Sequence, residues 1–168
     1  MTVDWNRQNF SGDNPEEHPA IVSIQENFPE SIVGSGSFRG EVWGVVKSDK
    51  CREVLHYLAL EPALSYDFLS DLTAVHFPRE DEPFEIVYQL YSIPNNSRFR
   101  VKTTVAEGQE ADSVVSIWQA AEWMEREVYD LLGVVFSGHP DMRRIMNPEG
   151  FVGHPLRKDF PTGGRIKW

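Results

Sequence analysis

Hydrophobic and polar positions change period along this chain, and each change marks an element. Ile21, Ile24 and Phe28 recur at helical spacing until Pro29 ends the run. EVWGVV at 41–46 reads as a strand. Ser48 is placed to cap a helix with Asp49 in its first turn, Cys51, Val54, Leu55 and Leu58 as its apolar stripe, and Pro62 as its stop. FLSDLTAVH at 68–76 reads as a strand, followed by strands at 84–93 and 98–105 joined through the PNNS turn. In 98–105 the basic Arg98, Arg100 and Lys102 alternate with Phe99, Val101 and Thr103, so one face is expected to meet water.

A last helix is expected from Ser116, where S-x-x-Q to Gln119 has the form of a capping box. Ile117, Ala120, Ala121, Met124, Val128, Leu131 and Leu132 would share one face, with Gly133 as the C-terminal cap. At about 100° per residue, Glu127 falls beside Met124 and Leu131, while Glu125 and Arg126 point away. A partly buried Glu127 needs a donor, and Arg143 or Arg144 is the expected one. The alternative is that its side chain reaches round to solvent.

These elements predict an α+β fold: a single mixed or antiparallel sheet with helices packed on it, followed by an extended irregular C-terminal tail. The expected division is an acidic arm at 1–18, an α+β domain at 19–133 and a partner-docking tail at 134–168. Composition fits a globular domain. No apolar run approaches the roughly 18 residues that span a bilayer. The polar, acidic start does not read as a signal peptide. Cys51 is the sole cysteine, which excludes an internal disulfide, a cluster held by this chain alone and a cysteine-rich zinc site.

The net charge of −10 is uneven. From His139 to Trp168 six Lys/Arg face three acids, a local +3, so the first 138 residues carry −13. An acidic body argues against nucleic acid as a partner.

Candidate chemistry is sparse. GSGSFRG at 34–40 precedes a strand and spaces its glycines as G-x-G-x-x-x-G, so it reads as a flexible loop rather than a dinucleotide site. His139 and His154 each sit in GHP without a third ligand, which favours an imidazole donating to a backbone carbonyl at a bend over a metal or acid–base site. Glu125 and Glu127, two apart on a helix, cannot share a proton. No nucleophile elbow or metal-binding helix motif occurs.

The tail holds Phe136, Met142, Ile145, Met146, Phe151, Val152, Leu156 and Phe160 among glycines and prolines. A disordered segment would be poor in such groups. Extended backbone with apolar anchors, Arg and Lys suits a segment docked on a second polypeptide. It also suits a tail folded back on its own sheet, and the two readings are compatible.

The same residues carry a family resemblance. EREVYDLLGVVFSGHPDMRRIM resembles the diagnostic segment of the 30-kDa subunit of respiratory complex I and its counterpart in bacterial NADH–quinone oxidoreductase; Glu125, Arg126, Glu127, Asp130, Leu131, Leu132, His139, Arg143, Ile145 and Met146 fill its pattern. GHPLRKDFP is similar to the family's second block, bringing in His154, Pro155, Leu156, Arg157, Lys158, Asp159 and Phe160. YDFLSDLTAVHFP and FEIVYQLYSI suit the family's α+β domain.

The resemblance implies a role without an active site. The chain would bind no cofactor, with FMN and Fe–S clusters held by partner subunits. It would sit in the hydrophilic arm beside the quinone-site subunit related to hydrogenase large subunits, near the cluster-bearing subunits. The complex would pass electrons from NADH to quinone coupled to proton translocation, on the cytoplasmic side of the bacterial plasma membrane, and the chain would meet the membrane only through the complex. Glu127 with Arg143 or Arg144 would set the helix-to-tail geometry, and His139, His154 and 157–160 would contact the quinone-site subunit. Arg157→Ala with Lys158→Ala would then weaken assembly and leave the isolated domain folded. Two departures stand out. Mitochondrial members continue well past the second block, and photosynthetic relatives tend to have Trp at the position of His154. The alternatives are the equivalent subunit of a membrane-bound hydrogenase or of a reduced-deazaflavin- or ferredoxin-dependent quinone reductase, and an independent enzyme with a His/carboxylate site.

Overall fold

The computed structural model describes residues 14–161. Most of the expected 1–18 arm, and residues 162–168 of the tail, lie outside the described residues. A single 3-10 turn at Pro15–Glu17 leads into α1 (Pro19–Asn27), which His18 caps by accepting the Ala20 N–H through Nδ1 at 3.3 Å. The other elements are β1 (Ile32–Phe38), β2 (Glu41–Val46), α2 (Ser48–Leu60), β3 (Phe68–His76), β4 (Phe84–Ser92), β5 (Ser97–Val105), β6 (Ala111–Asp112), α3 (Ala121–Leu132) and β7 (Phe136–Ser137). The five long strands form one sheet in the order β1-β2-β5-β4-β3. Its pairs are antiparallel except β2–β5, which the α2 crossover leaves parallel. The fold is α+β with a mixed sheet, as the periodicity predicts.

Alternation sorts the sheet's two faces. Leu72, Tyr88 and Val101 pair across β3, β4 and β5 and point to the helices. There they meet Ile21 and Ile24 of α1, Leu55 and Leu58 of α2, and Ala121 and Val128 of α3 in one buried cluster. Cys51 and Val54 are buried beside them, as their spacing in α2 predicts. Burial pushes the Cys51 thiol up to about 12, so it behaves as a small apolar group.

Three local expectations are corrected. The glycine-rich 34–40 stretch is strand and hairpin, not loop. Gly36 sits beneath the Trp43 ring, where a Cβ would come within 2.2 Å of it, and Arg39 (φ 52°) with Gly40 (φ 80°) makes the turn. Ser48 is the first helical residue rather than a cap. Ser116 and Gln119 form no capping box, because α3 starts later, at Ala121. The Val114 carbonyl takes the N–H groups of both Ile117 and Trp118 at 2.9 Å, a tight turn that sends the Trp118 indole inward to donate to the Tyr66 carbonyl at 3.2 Å. The face with Arg98, Arg100 and Lys102 is also less open than alternation suggests: Lys102 lies 3.0 Å from the buried Glu85 carboxylate.

Candidate functional site

Helix α3 is buried on two sides. Ala121, Glu125, Val128 and Leu132 recur at i, i+4, i+7 and i+11 and face the sheet. Arg126 and Asp130, also buried, face the residues that follow Gly133. Glu127 is exposed. The expected pairing of Glu127 with Arg143 or Arg144 is therefore wrong, and so is the outward placement of Glu125 and Arg126. Glu125 occupies a position in the core stripe that a reading of apolar residues alone skips, and this shifts the phase of the helix. Its Oε1 accepts the Val114 N–H at 2.7 Å, which ties α3 to the turn before it. Burial raises the Glu125 carboxyl above its ordinary value, partly offset by the hydrogen bonds from Val114 and Ser113.

Asp130 organises the junction. Its fully buried carboxylate takes Arg144 Nη1 at 2.6 Å, the N–H groups of Ile145, Met146 and Asn147 at 3.0, 2.7 and 2.7 Å, and Asn147 Nδ2 at 2.8 Å. Burial alone would push this carboxyl up. The hydrogen bonds from Asn147, Arg144 and Ile145 outweigh it and hold Asp130 well below the usual carboxylate range.

The helix end is closed by the same segment. A helix leaves its last four carbonyls without intrahelical partners. Here Tyr129 O takes the Gly133 N–H at 2.8 Å, and Leu131 O takes the Leu156 N–H at 3.0 Å. Asp130 O accepts from His154 Nδ1 at 3.0 Å and Arg144 Nη1 at 3.2 Å, and Leu132 O from Arg157 Nε at 2.6 Å. Two guanidinium groups at the negative end of the helix dipole add to this. Gly133 holds φ at 82°, and a Cβ there would lie 2.7 Å from His154 and Arg157, so close approach and backbone sign both require glycine.

The remaining contacts brace the segment. Arg126 donates to the Arg143 and Arg144 carbonyls at 3.1 and 3.2 Å and lies over the Trp123 ring. His139 accepts the Asp141 N–H through Nδ1, which leaves Nε2 as the donor to Glu122 O, both at 3.0 Å. Both GHP histidines thus reach backbone carbonyls of α3. Phe160 stacks on Phe151 and lies over Gly153. Pro155, next along from His154, is half-buried. The Arg157 guanidinium sits 4.9 Å from the Phe84 ring centroid and 3.0 Å from Glu107. Lys158 presents an exposed side chain, but its N–H donates to His76 Nδ1 at 3.0 Å, and exposed Asp159 lies 3.8 Å from the same atom. His76, Asn147 and Val114 belong to this construction and were not picked out from the sequence. A histidine ending a strand opposite a GHP-rich tail was the available signal, and for His76 alone. Arg143 turns outward and pairs with Asp141 at 2.8 Å.

The segment therefore folds back on its own domain, stitched by β7 pairing with β6. Among its exposed charges it displays apolar side chains: Met146, Val152 and Leu156, with Trp123 of α3, are 56–75% exposed. Among the described residues, no three His, Cys, Asp or Glu side chains gather to hold a metal ion. No described helix is long and apolar enough to cross a membrane.

This geometry defines a small α+β domain whose last helix carries a hydrogen-bonded C-terminal extension. The chain belongs to the respiratory-chain NADH dehydrogenase 30 Kd subunit family, whose profile matches residues 44–166. The corresponding subunit of the NADH-quinone oxidoreductase of Geobacter metallireducens is 47% identical over 89% of this chain and 92% of its own length. The mitochondrial NADH-ubiquinone oxidoreductase 30.4 kDa subunit of Neurospora crassa is 53% identical over 66% of this chain and 39% of its own length. Among solved structures, a chain of the membrane-bound sulfane sulfur reductase, an archaeal respiratory membrane complex, superposes with a TM-score of 0.70 at 29% identity, covering 84% of both chains.

Proposed function

We propose that this chain is a non-catalytic scaffold subunit in the hydrophilic arm of a proton-translocating NADH–quinone oxidoreductase. It holds α3 and the C-terminal segment against the quinone-site, hydrogenase-large-subunit-like subunit, with the Fe–S subunits adjacent. FMN and the clusters belong to those partners, and the chain meets the cytoplasmic side of the bacterial membrane only through them. The observation that carries this reading is the Asp130 junction, which fixes an irregular segment rigidly while leaving Met146, Val152 and Leu156 facing outward. Apolar anchors that are ordered before docking are what a stable interface needs. Asp130, Arg126 and both GHP imidazoles are engaged by groups of this same chain, which fits positioning rather than turnover.

Val152→Glu with Leu156→Glu tests it. Both side chains are exposed, so the isolated chain keeps its unfolding midpoint, while the amount co-purifying with the complex falls at least tenfold. Normal incorporation of the double variant would end the proposal. The likeness to the sulfane sulfur reductase chain favours one second reading, the equivalent subunit of a related respiratory or hydrogenase complex. Co-purification with an NADH-binding flavoprotein decides for the first, and with a nickel-site subunit for the second.

A further inference from the structure

Among the described residues, strand β3 is an unpaired edge of the sheet, nine residues long, with an irregularity in its pairing between Leu69 and Asp71. Edges of this kind are normally blunted by charged side chains, proline, bulges or a covering element. FLSDLTAVH has its one acid, Asp71, and its pairing irregularity in its first half; Leu72 to His76 carries no acid, lysine or proline, and Thr73 and Val75 are exposed along it. Between β3 and α3 lies a cleft of about 160 Å³. Among the described residues, Leu131, Leu132 and Leu156 give it an apolar lining, Glu127 stands on it with an exposed carboxylate, and no basic side chain lines it; Asp71 borders it from the strand but, in register with Gln89, turns its side chain to the opposite face of the sheet.

From this arrangement we infer that the β3–α3 cleft receives an extended segment of a neighbouring subunit, one carrying a large apolar side chain next to lysine or arginine. This deepens the scaffold reading above and rests on it. The apolar side chain fills the cleft, the basic group meets Glu127, and the segment's backbone pairs with the outer groups of β3. Leu156 belongs both to the cleft and to the displayed apolar set, so the two surfaces are continuous. A second copy of this chain is the wrong occupant, because pairing two β3 edges would set acidic rims against each other.

Two measurements on the native complex test this. With a photoreactive benzoylphenylalanine at Thr73, irradiation is expected to join this chain to a different polypeptide, at a peptide holding an apolar residue beside Lys or Arg. Glu127→Lys is expected to cut incorporation at least fivefold while the unfolding midpoint of the isolated chain is kept. An adduct within this chain, with a second copy, or with an acidic peptide overturns the inference, as does the absence of any adduct or normal incorporation of the charge-reversed variant. The scaffold reading fails separately, when Val152→Glu with Leu156→Glu leaves incorporation unchanged.

Discussion

Glu125 shows how a single side chain can sit against its chemistry. It occupies a core position of α3, 0% exposed, with Oε1 on the Val114 N–H and Oε2 without a hydrogen-bond partner among the described residues. Burial raises its pKa, so folding disfavours its ionised form relative to the unfolded chain. The sign follows from linkage: below the ordinary Glu value of about 4.3 both states are neutral and the group costs nothing, whereas as pH rises from there toward the folded value the cost of burying the charge grows. Glu125→Gln keeps the Val114 hydrogen bond and removes that cost. The variant is expected to match the parent's thermal midpoint at pH 4 and to exceed it at pH 8; a variant less stable at pH 8 would contradict this account. Asp130, by contrast, is buried with every carboxylate contact filled, and its pKa moves the other way.

At the scale of elements, α3 and the segment after it are one construction. The last helical carbonyls and the Asp130 carboxylate all receive donors from residues 133–157. Removing the carboxylate strands Arg144 and three backbone N–H groups together. Breaking a buried pair in this way costs about 3–5 kcal/mol. Asp130→Ala is therefore expected to lose that much in denaturant unfolding at pH 7. Because the folded pKa is depressed, Asp130 contributes its stability in full above the unfolded value near 3.9 and loses it as pH falls from there toward the folded value. The gap between Asp130→Asn and the parent should accordingly shrink below about pH 4.

For the whole molecule, three of the four basic side chains of the described tail are paired within the chain. Arg144 pairs with Asp130, Arg157 with Glu107 and Arg143 with Asp141. Arg157 and Lys158, expected together to contact a partner, differ in what they do inside this chain. Arg157 caps Leu132 O and stacks on Phe84, so Arg157→Ala should cost the isolated chain about 1.5–3 kcal/mol, the range for a charge-assisted hydrogen bond. Lys158→Ala removes only an exposed side chain and should stay within about 0.5 kcal/mol. Equal losses for the two in urea titrations would refute this division.

Periodicity alone determined the strands at 41–46, 68–76, 84–93 and 98–105, the stripe of α2 and the Gly133 cap, because each depends on neighbours a few residues away. It could not phase α3, where two of the buried positions are carboxylates. A charged residue enters a core or a junction only when distant groups satisfy it, and in sequence Val114 is 11 residues from Glu125 and Asn147 is 17 from Asp130. Tertiary structure decided those partners, together with the turning inward of Arg126, Arg144 and Arg157, since hydrogen bonds between remote backbone segments leave no period in the chain that makes them.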